Sequence, residues 1–258
     1  MASKKKKEFS GWKALFLVLG LLFLSSAGIY GYIRWMEYRT NFARYEAFGI
    51  EIPTEYQIHG IDVSHHQDQI DWNSVKAMNV ADLRLGFAFI KATEGLGNVD
   101  EQFQRNWQKA KDAGLIRGAY HFFLATKSGL TQAENFISTV DLHSGDLPPV
   151  LDIEQTYGVR TRDLRKRVKE WLCRIEEYYK VKPIIYTNVD FYAHFLGIEF
   201  DEYPLWVAHY LQPNKPRIAR NWIFWQHNET GRVNGIYSKV DFNVFNGDSS
   251  EFRQLLVP

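Results

Sequence analysis

The chain has 258 residues, of which 45% are hydrophobic and 24% are charged, and this composition excludes an intrinsically disordered protein. Its one cysteine, Cys173, excludes an intrachain disulfide and any zinc site that needs two thiolates. Residues 1–35 hold six basic residues and one acidic residue, so the net charge of +1 leaves −4 on the remainder. This acidic remainder argues against nucleic acid as a partner, because phosphate binding needs a basic face.

The N-terminal segment predicts a membrane anchor. Residues 14–33 (ALFLVLGLLFLSSAGIYGYI) carry no charge and are numerous enough to cross the hydrocarbon core as one helix. The lysines before them favour a cytoplasmic N-terminus. We expect a cytoplasmic basic tail at 1–13, a single-pass transmembrane signal anchor at 14–33, and the rest of the chain outside the cytoplasm, on the periplasmic or extracellular face. A signal peptide cleaved before Gly28 is the alternative, and the length of the apolar run disfavours it.

The remaining sequence predicts a short stalk and then one domain. Residues 34–56 are mixed and charged, which is typical of a stalk, and residues 57–258 form the domain. Eight apolar runs of strand length recur there, at 59–64, 87–93, 118–123, 149–155, 183–188, 204–210, 222–227 and 240–245. Helical patterns follow the first five runs, at 71–78, 98–113, 131–142, 161–180 and 188–196. A capping box at Thr131 and Glu134 marks the start of the third helix.

The order of these elements predicts the fold class. The gaps 211–221 and 228–239 are too short, and too rich in Pro, Asn and Gly, for crossover helices. The strands are apolar almost throughout, as expected when both faces are buried. We therefore predict an α/β protein, a TIM-like (β/α)5(β)3 barrel preceded by one N-terminal transmembrane helix.

Acidic residues recur at the strand ends, where barrels of this kind place their active sites. Asp152 and Glu154 lie two positions apart on the fourth strand and so face the barrel interior together. Crowding by Asp62 and Asp241, from the first and last strands, disfavours the ionised form of Glu154. A carboxylic acid that stays protonated near neutral pH is what a general acid for glycosidic cleavage requires. The alternative is a structural ion pair with Lys91 or an arginine.

Histidines and aromatic residues complete the candidate site. Histidines 65, 66, 121, 209 and 227 lack the spacing of a metal-binding motif, so we predict no metal and no cofactor. Aromatic residues near strand ends, among them Tyr120 and Trp206, are either core residues or platforms for sugar rings.

The motifs HGIDVSHHQDQIDW, FAFIKATEG, GLIRGAYHFF, PPVLDIE, PIIYTN and WQH…VDFN resemble the Chalaropsis-type lysozymes, glycoside hydrolase family 25, over about residues 57–250. The resemblance implies a retaining N-acetylmuramidase. Such an enzyme hydrolyses the β-1,4 bond between N-acetylmuramic acid and N-acetylglucosamine in peptidoglycan, for remodelling or lysis of the cell wall. It also implies that residues 57–258 are the catalytic domain.

The resemblance carries roles to particular residues. Glu154 corresponds to the catalytic acid, Asp152 to its partner, and Asp62 and Asp241 to the acidic cleft. We expect a substrate-binding set of Tyr120, Tyr186, Trp206 and Gln226. Asp152 acts either as a nucleophile or by orienting the acetamido oxygen of the substrate, which then attacks the anomeric carbon.

Two other classes of protein remain as alternatives. A non-catalytic peptidoglycan-binding domain on the same fold need not keep all four carboxyls, so their presence argues against it. A barrel hydrolase for a phosphodiester would need metal ligands or a basic phosphate site, and the lack of both patterns in the sequence argues against it. We expect a monomer whose partners are peptidoglycan and, through the N-terminal helix, the membrane.

Overall fold

The computed structural model describes residues 11–258, except for the side chains of residues 37–40; the predicted lysine-rich tail lies largely outside this range. The first helix, α1 (Gly11–Asn41), contains a stretch, Gly11–Met36, that is long and apolar enough to cross a membrane. The predicted span 14–33 lies within it. Within residues 14–33 the large apolar side chains are not covered by the rest of the described chain.

Eight strands close into a barrel, which confirms the predicted fold class. They are β3 (Ile58–Val63), β5 (Leu83–Glu94), β7 (Ile116–Phe122), β8 (Val150–Asp152), β9 (Ile184–Asn188), β10 (Leu205–Ala208), β11 (Phe224–Gly231) and β12 (Val240–Phe245). Neighbours pair in this order, and β3 pairs with both β5 and β12 to close the ring. Strand β12 runs antiparallel to both of its neighbours, whereas the other barrel pairs are parallel.

Helices follow the first five strands of the barrel. They are α2 (Trp72–Ala77), α3 (Phe103–Asp112), α4 (Gly129–Thr139), α5 (Thr161–Tyr179) and α6 (Val189–Phe191), which continues as a π-helical turn over Tyr192–Leu196. The described connections after β10 and β11 contain no helix, as the sequence predicts.

Two predicted helix starts differ from the structure. Helix α3 begins at Phe103 rather than residue 98, because β6 (Asn98–Val99) pairs with the end of β5. The predicted capping box of α4 was wrong, because the N-cap is Ser128, whose side chain accepts the backbone N–H of Thr131. A further short strand, β4 (Asn79–Val80), pairs with the start of β5.

Aromatic side chains fill the barrel interior. Phe87 and Phe89 of β5 lie against Phe224 with ring centroids 5.0 and 5.1 Å away. A final helix, α7 (Ser249–Leu255), inserts Phe252 against Phe87 and Phe245 and so plugs the barrel at the end opposite the carboxyl residues. Gly60 in β3 leaves room for this packing, because a Cβ there would lie 2.5 Å from the ring of Phe87.

Part of the segment interpreted as a stalk is folded onto the barrel. Strands β1 (Phe42–Tyr45) and β2 (Ile50–Pro53) form an antiparallel hairpin. Its turn buries Phe48 completely, with the ring 5.3 Å from that of Phe242 in β12. Ile50 and Ile52 are also buried. The chain therefore passes from α1 into packed structure without a free linker, although the division at residue 57 stays a prediction.

Helix α1 joins the domain at the rim opposite the strand ends that carry the carboxyls. The carbonyl of Asn41, its last residue, accepts the backbone N–H of Thr54. Four residues later β3 begins at Ile58, and Asp62 lies near its far end. Tyr56 packs on Trp222, which precedes β11, with ring centroids 5.8 Å apart. The membrane-spanning candidate thus attaches at the N-terminal ends of the strands.

Candidate active site

One cleft at the carboxyl ends of the parallel strands brings the predicted site residues together. It encloses about 330 Å³. All eight predicted residues line it: Asp62, Tyr120, Asp152, Glu154, Tyr186, Trp206, Gln226 and Asp241. Their roles stay predictions, but their convergence from seven strands and the turn after β8 is a property of the fold.

Asp62 and Asp241 form the first carboxyl pair. They are opposite each other in the β3–β12 register and hydrogen-bonded. Burial, and then repulsion from Asp62, raises the pKa of Asp241 to about 9. Burial also raises the pKa of Asp62, whereas hydrogen bonds from Asn243, Gln226 and Asp241 act in the opposite direction. Asp62 therefore accepts hydrogen bonds as a carboxylate, and Asp241 holds the proton between them.

Asp152 and Glu154 form the second pair. Asp152 is the last residue of β8, and Glu154 lies just beyond the strand rather than within it as predicted. Burial and repulsion from Glu154 raise the pKa of Asp152 well above its usual range. Burial and the charge of Asp62 raise the pKa of Glu154. The two carboxyls are hydrogen-bonded, and burial together with the neighbouring negative charges favours the form of the pair that retains a proton.

A structural ion pair does not account for these carboxyls. Lys91, the candidate partner, instead donates to Glu94 Oε2 at 2.7 Å and lies 4.9 Å from the ring centre of Phe122. Among the side chains that the structure describes, no Lys, Arg or His forms an ion pair with Asp152 or Glu154. Asp152 Oδ1 is buried and has no hydrogen-bond partner within the described part of the chain. A buried acceptor left open at a cleft is suited to a donor on a ligand.

Trp206 and Gln226 form the buried floor of the cleft rather than its exposed wall. Each is 2% exposed, which leaves too little surface for a sugar ring to stack on Trp206. The indole of Trp206 stacks on Phe89 instead, with centroids 4.3 Å apart. Gln226 Oε1 accepts the hydroxyls of Tyr186 and Tyr210 at 2.8 and 2.5 Å. We therefore expect both residues to position others rather than touch substrate.

The tyrosines of the cleft remain protonated phenols. Burial, followed by the charges of Asp62 and Asp152, raises the pKa of Tyr120 well above its usual range. Burial and Glu154 do the same for Tyr186. Neutral phenol hydroxyls can donate to sugar oxygens or to an acetamido group.

Two of the histidines make contacts with neighbouring side chains. His121 is buried between Thr93 and Gln132, and burial lowers its pKa to about 3. His65 Nδ1 lies 2.7 Å from Asp100 Oδ2. No group of three or more potential metal ligands occurs among the residues that the structure describes.

Two residues of the predicted strand runs, Asn243 and Tyr210, were not included in the predicted site set but contact its members. Asn243 is fully buried and donates to Asp62 Oδ2 at 2.7 Å. Its spacing from Asp241 is the same two-residue step that links Asp152 to Glu154, so the signal was present. Tyr210 lies in the loop after β10, where no periodicity predicts which way a side chain points.

The chain resembles known proteins over most of its length. A sequence profile described as glycosyl hydrolases family 25 matches residues 61–236. A protein of Escherichia coli K12 named YegX is 46% identical over 91% of this chain and 85% of its own. Lysozyme M1 of Streptomyces globisporus is 38% identical over 77% of this chain and 71% of its own. The solved structure of a family 25 glycosyl hydrolase from Bacillus anthracis matches with a TM-score of 0.72 and 32% identity, over 79% of this chain and 95% of that one.

Proposed function

The chain belongs to glycosyl hydrolase family 25, and we propose that it is a membrane-anchored lysozyme that cleaves peptidoglycan. The bond cut is the β-1,4 bond between N-acetylmuramic acid and N-acetylglucosamine. The observation that carries the proposal is the meeting of the pairs Asp152–Glu154 and Asp62–Asp241 in one cleft. The lysozymes among its relatives support the substrate class.

In this proposal Glu154 is the general acid. Burial and the charge of Asp62 raise its pKa, which favours the protonated acid, and protonation of the glycosidic oxygen assists departure of the leaving sugar. The neighbouring charge on Asp62 stabilises positive charge that develops at the anomeric carbon. After the first step the ionised Glu154 takes a proton from water, which then attacks the anomeric carbon, and the configuration is retained.

Asp152 has one of two roles in that cycle. As a nucleophile, its carboxylate bonds to the anomeric carbon and is released by water. As an orienting group, its open oxygen accepts the acetamido N–H, and the acetamido oxygen attacks to give a cyclised intermediate. We favour the orienting role, because Asp152 Oδ1 is buried and without a partner in the described structure.

The anchor sets where the reaction takes place. We propose that α1 is not cleaved, that the catalytic domain lies outside the cytoplasm, and that the protein acts as a monomer. Since α1 joins the barrel at the rim opposite the cleft, the cleft opens away from the membrane toward the cell wall. Carbonate-resistant membrane retention and protease access from the non-cytoplasmic side would support this placement. A soluble mature protein that begins at Gly28 would instead establish a signal peptide.

The product distinguishes the proposed reaction from its relatives. The purified full-length protein in detergent is incubated with peptidoglycan, and the new reducing ends are reduced and identified by mass spectrometry. N-Acetylmuramic acid is expected at the new end. N-Acetylglucosamine there would indicate a glucosaminidase, and an anhydro sugar a lytic transglycosylase. Binding to peptidoglycan without any new end would favour the non-catalytic binding domain.

A further inference from the structure

Two buried amide groups hold one oxygen of Asp62. Asn243 Nδ2 and Gln226 Nε2 donate to Asp62 Oδ2 at 2.7 and 2.8 Å. Neither residue is more than 2% exposed, so water does not compete for these bonds. Asp62 Oδ2 thus sits in a fixed cradle of two N–H donors.

Trp206 fixes the orientation of the Asn243 amide. Its indole Nε1 donates to Asn243 Oδ1 at 2.8 Å. An indole N–H can donate but cannot accept, so a flipped amide would place two donors face to face. Asn243 therefore presents its NH₂ group, and not its oxygen, to Asp62.

This cradle decides which carboxyl of the first pair is ionised. Two N–H donors stabilise the carboxylate form of Asp62 more than its protonated form, because each donates to a negative charge. Asp62 and Asp241 are hydrogen-bonded and share one proton, which is consequently on Asp241. The negative charge of the pair is therefore fixed on Asp62, the member whose charge acts on both Asp152 and Glu154.

We propose that Trp206 and Asn243 are positioning residues for glycosidic cleavage: they fix the charge of the first pair on Asp62, and this charge retains the proton that Asp152 and Glu154 share. The inference rests on the proposed function, because that proton is the one delivered to the leaving oxygen. Neither residue needs to touch the substrate.

Other charged groups around the cleft do not replace this effect. The cation Lys91 on β5 lowers the pKa of Asp152 and so opposes retention of the proton. Glu229 on β11 acts on Asp241, and Asp100 acts on Tyr120. The neutral phenols of Tyr120, Tyr186 and Tyr210 carry no charge at neutral pH.

The test compares Trp206→Phe with Trp225→Phe in the full-length protein. Both variants remove a buried indole donor from neighbouring strands, but the Trp225 indole donates to the carbonyl of His209, outside the network. In Trp206→Phe the Asn243 amide is free to turn, the charge is shared with Asp241, and the second pair loses its proton more easily. The alkaline limb of kcat/KM against pH should move about one unit lower, with KM at acid pH unchanged. Trp225→Phe should keep the wild-type profile.

A second variant and a second measurement guard against loss of folding or activity. Asn243→Leu has the same branched shape and no donor, and the same acidward shift is expected. Carboxyl ¹³C NMR of protein labelled at Asp and Glu measures the titration midpoints of Asp152 and Glu154 without catalytic turnover. The Glu154→Gln variant assigns the signals. Equal titration midpoints in wild type and both variants would overturn the inference. If the wild-type protein produces no new N-acetylmuramic acid reducing end, the proposed function fails. The NMR titration midpoints still test the present inference in that case.

Discussion

Asp62 and Asp241 are opposite each other on the antiparallel strands β3 and β12, which places two hydrogen-bonded carboxyl groups side by side at the mouth of the barrel. The folded protein raises the pKa of Asp241 from 3.8 to about 9, through burial and then repulsion from Asp62. Between pH 3.8 and about pH 9, Asp241 keeps a proton in the folded state that it has lost in the unfolded chain. The contribution of this group to stability is therefore greatest below pH 4 and declines as the pH rises toward 9.

The first prediction follows from this decline of stability with rising pH. Asp241→Asn keeps the shape and a donor to Asp62 but removes the group that must bind a proton. Its melting temperature should exceed that of wild type at pH 8 by at least about 2–4 °C, which corresponds to roughly 1 kcal/mol in a domain of this size. Thermal unfolding at pH 4 and pH 8 measures this. The same difference in melting temperature between variant and wild type at both pH values would contradict the raised pKa of Asp241.

The second prediction concerns the acid. Glu154→Gln preserves the volume but removes the proton that assists departure of the leaving sugar, so the rate of peptidoglycan lysis should fall by about 10²–10⁴. Binding to peptidoglycan in a sedimentation assay should be unchanged. Glu94→Gln is the matched control, because Glu94 is paired with Lys91 and is assigned no proton transfer. Near-normal lysis by Glu154→Gln would overturn the site assignment.

The third prediction separates the two roles of Asp152. If Asp152 orients the acetamido group, a thiazoline mimic of the cyclised intermediate should inhibit, and a fluorosugar should leave no adduct on the protein. Asp152→Asn loses the charge in either case and should be strongly impaired. Intact-protein mass spectrometry after exposure to the fluorosugar measures the difference. A covalent adduct that maps to Asp152 would establish the nucleophile instead.

The barrel and its carboxyls could be predicted from sequence because both depend on local spacing. Alternating strand and helix lengths predict five β/α units, and a two-residue step predicts that Asp152 and Glu154 lie together, although Glu154 proves to lie just beyond β8. The direction of β12 could not be predicted in this way. In a parallel last strand Asp241, near its start, would lie at the opposite rim; the antiparallel direction brings it to Asp62.

Burial was harder to predict than position. The sequence places Trp206 at a strand end, where sugar-binding aromatic residues occur, but the interior of this barrel is filled by Phe89 and Phe224. Phe89 stacks on one face of the indole, and this contact joins β5 to β10, which are far apart in the sequence. The hairpin of β1 and β2 was missed for a related reason. Its apolar residue Phe48 packs on Phe242 in β12, which is far away in the sequence.

The last prediction concerns that hairpin. Phe48 is fully buried against Phe242, and the backbone N–H of Arg232 donates to the Phe48 carbonyl at 2.9 Å, so the turn is held by both packing and hydrogen bonding. Phe48→Ala should reduce the free energy of unfolding by about 3–5 kcal/mol, because it removes a fully buried ring and leaves a cavity in its place. Glu46→Ala, in the same turn but exposed, should have little effect. Chemical denaturation of the two variants measures the difference, and specific activity of folded Phe48→Ala should stay near wild type, since Phe48 does not line the cleft. Equal stability of the two variants would mean that residues 42–53 act as a stalk after all.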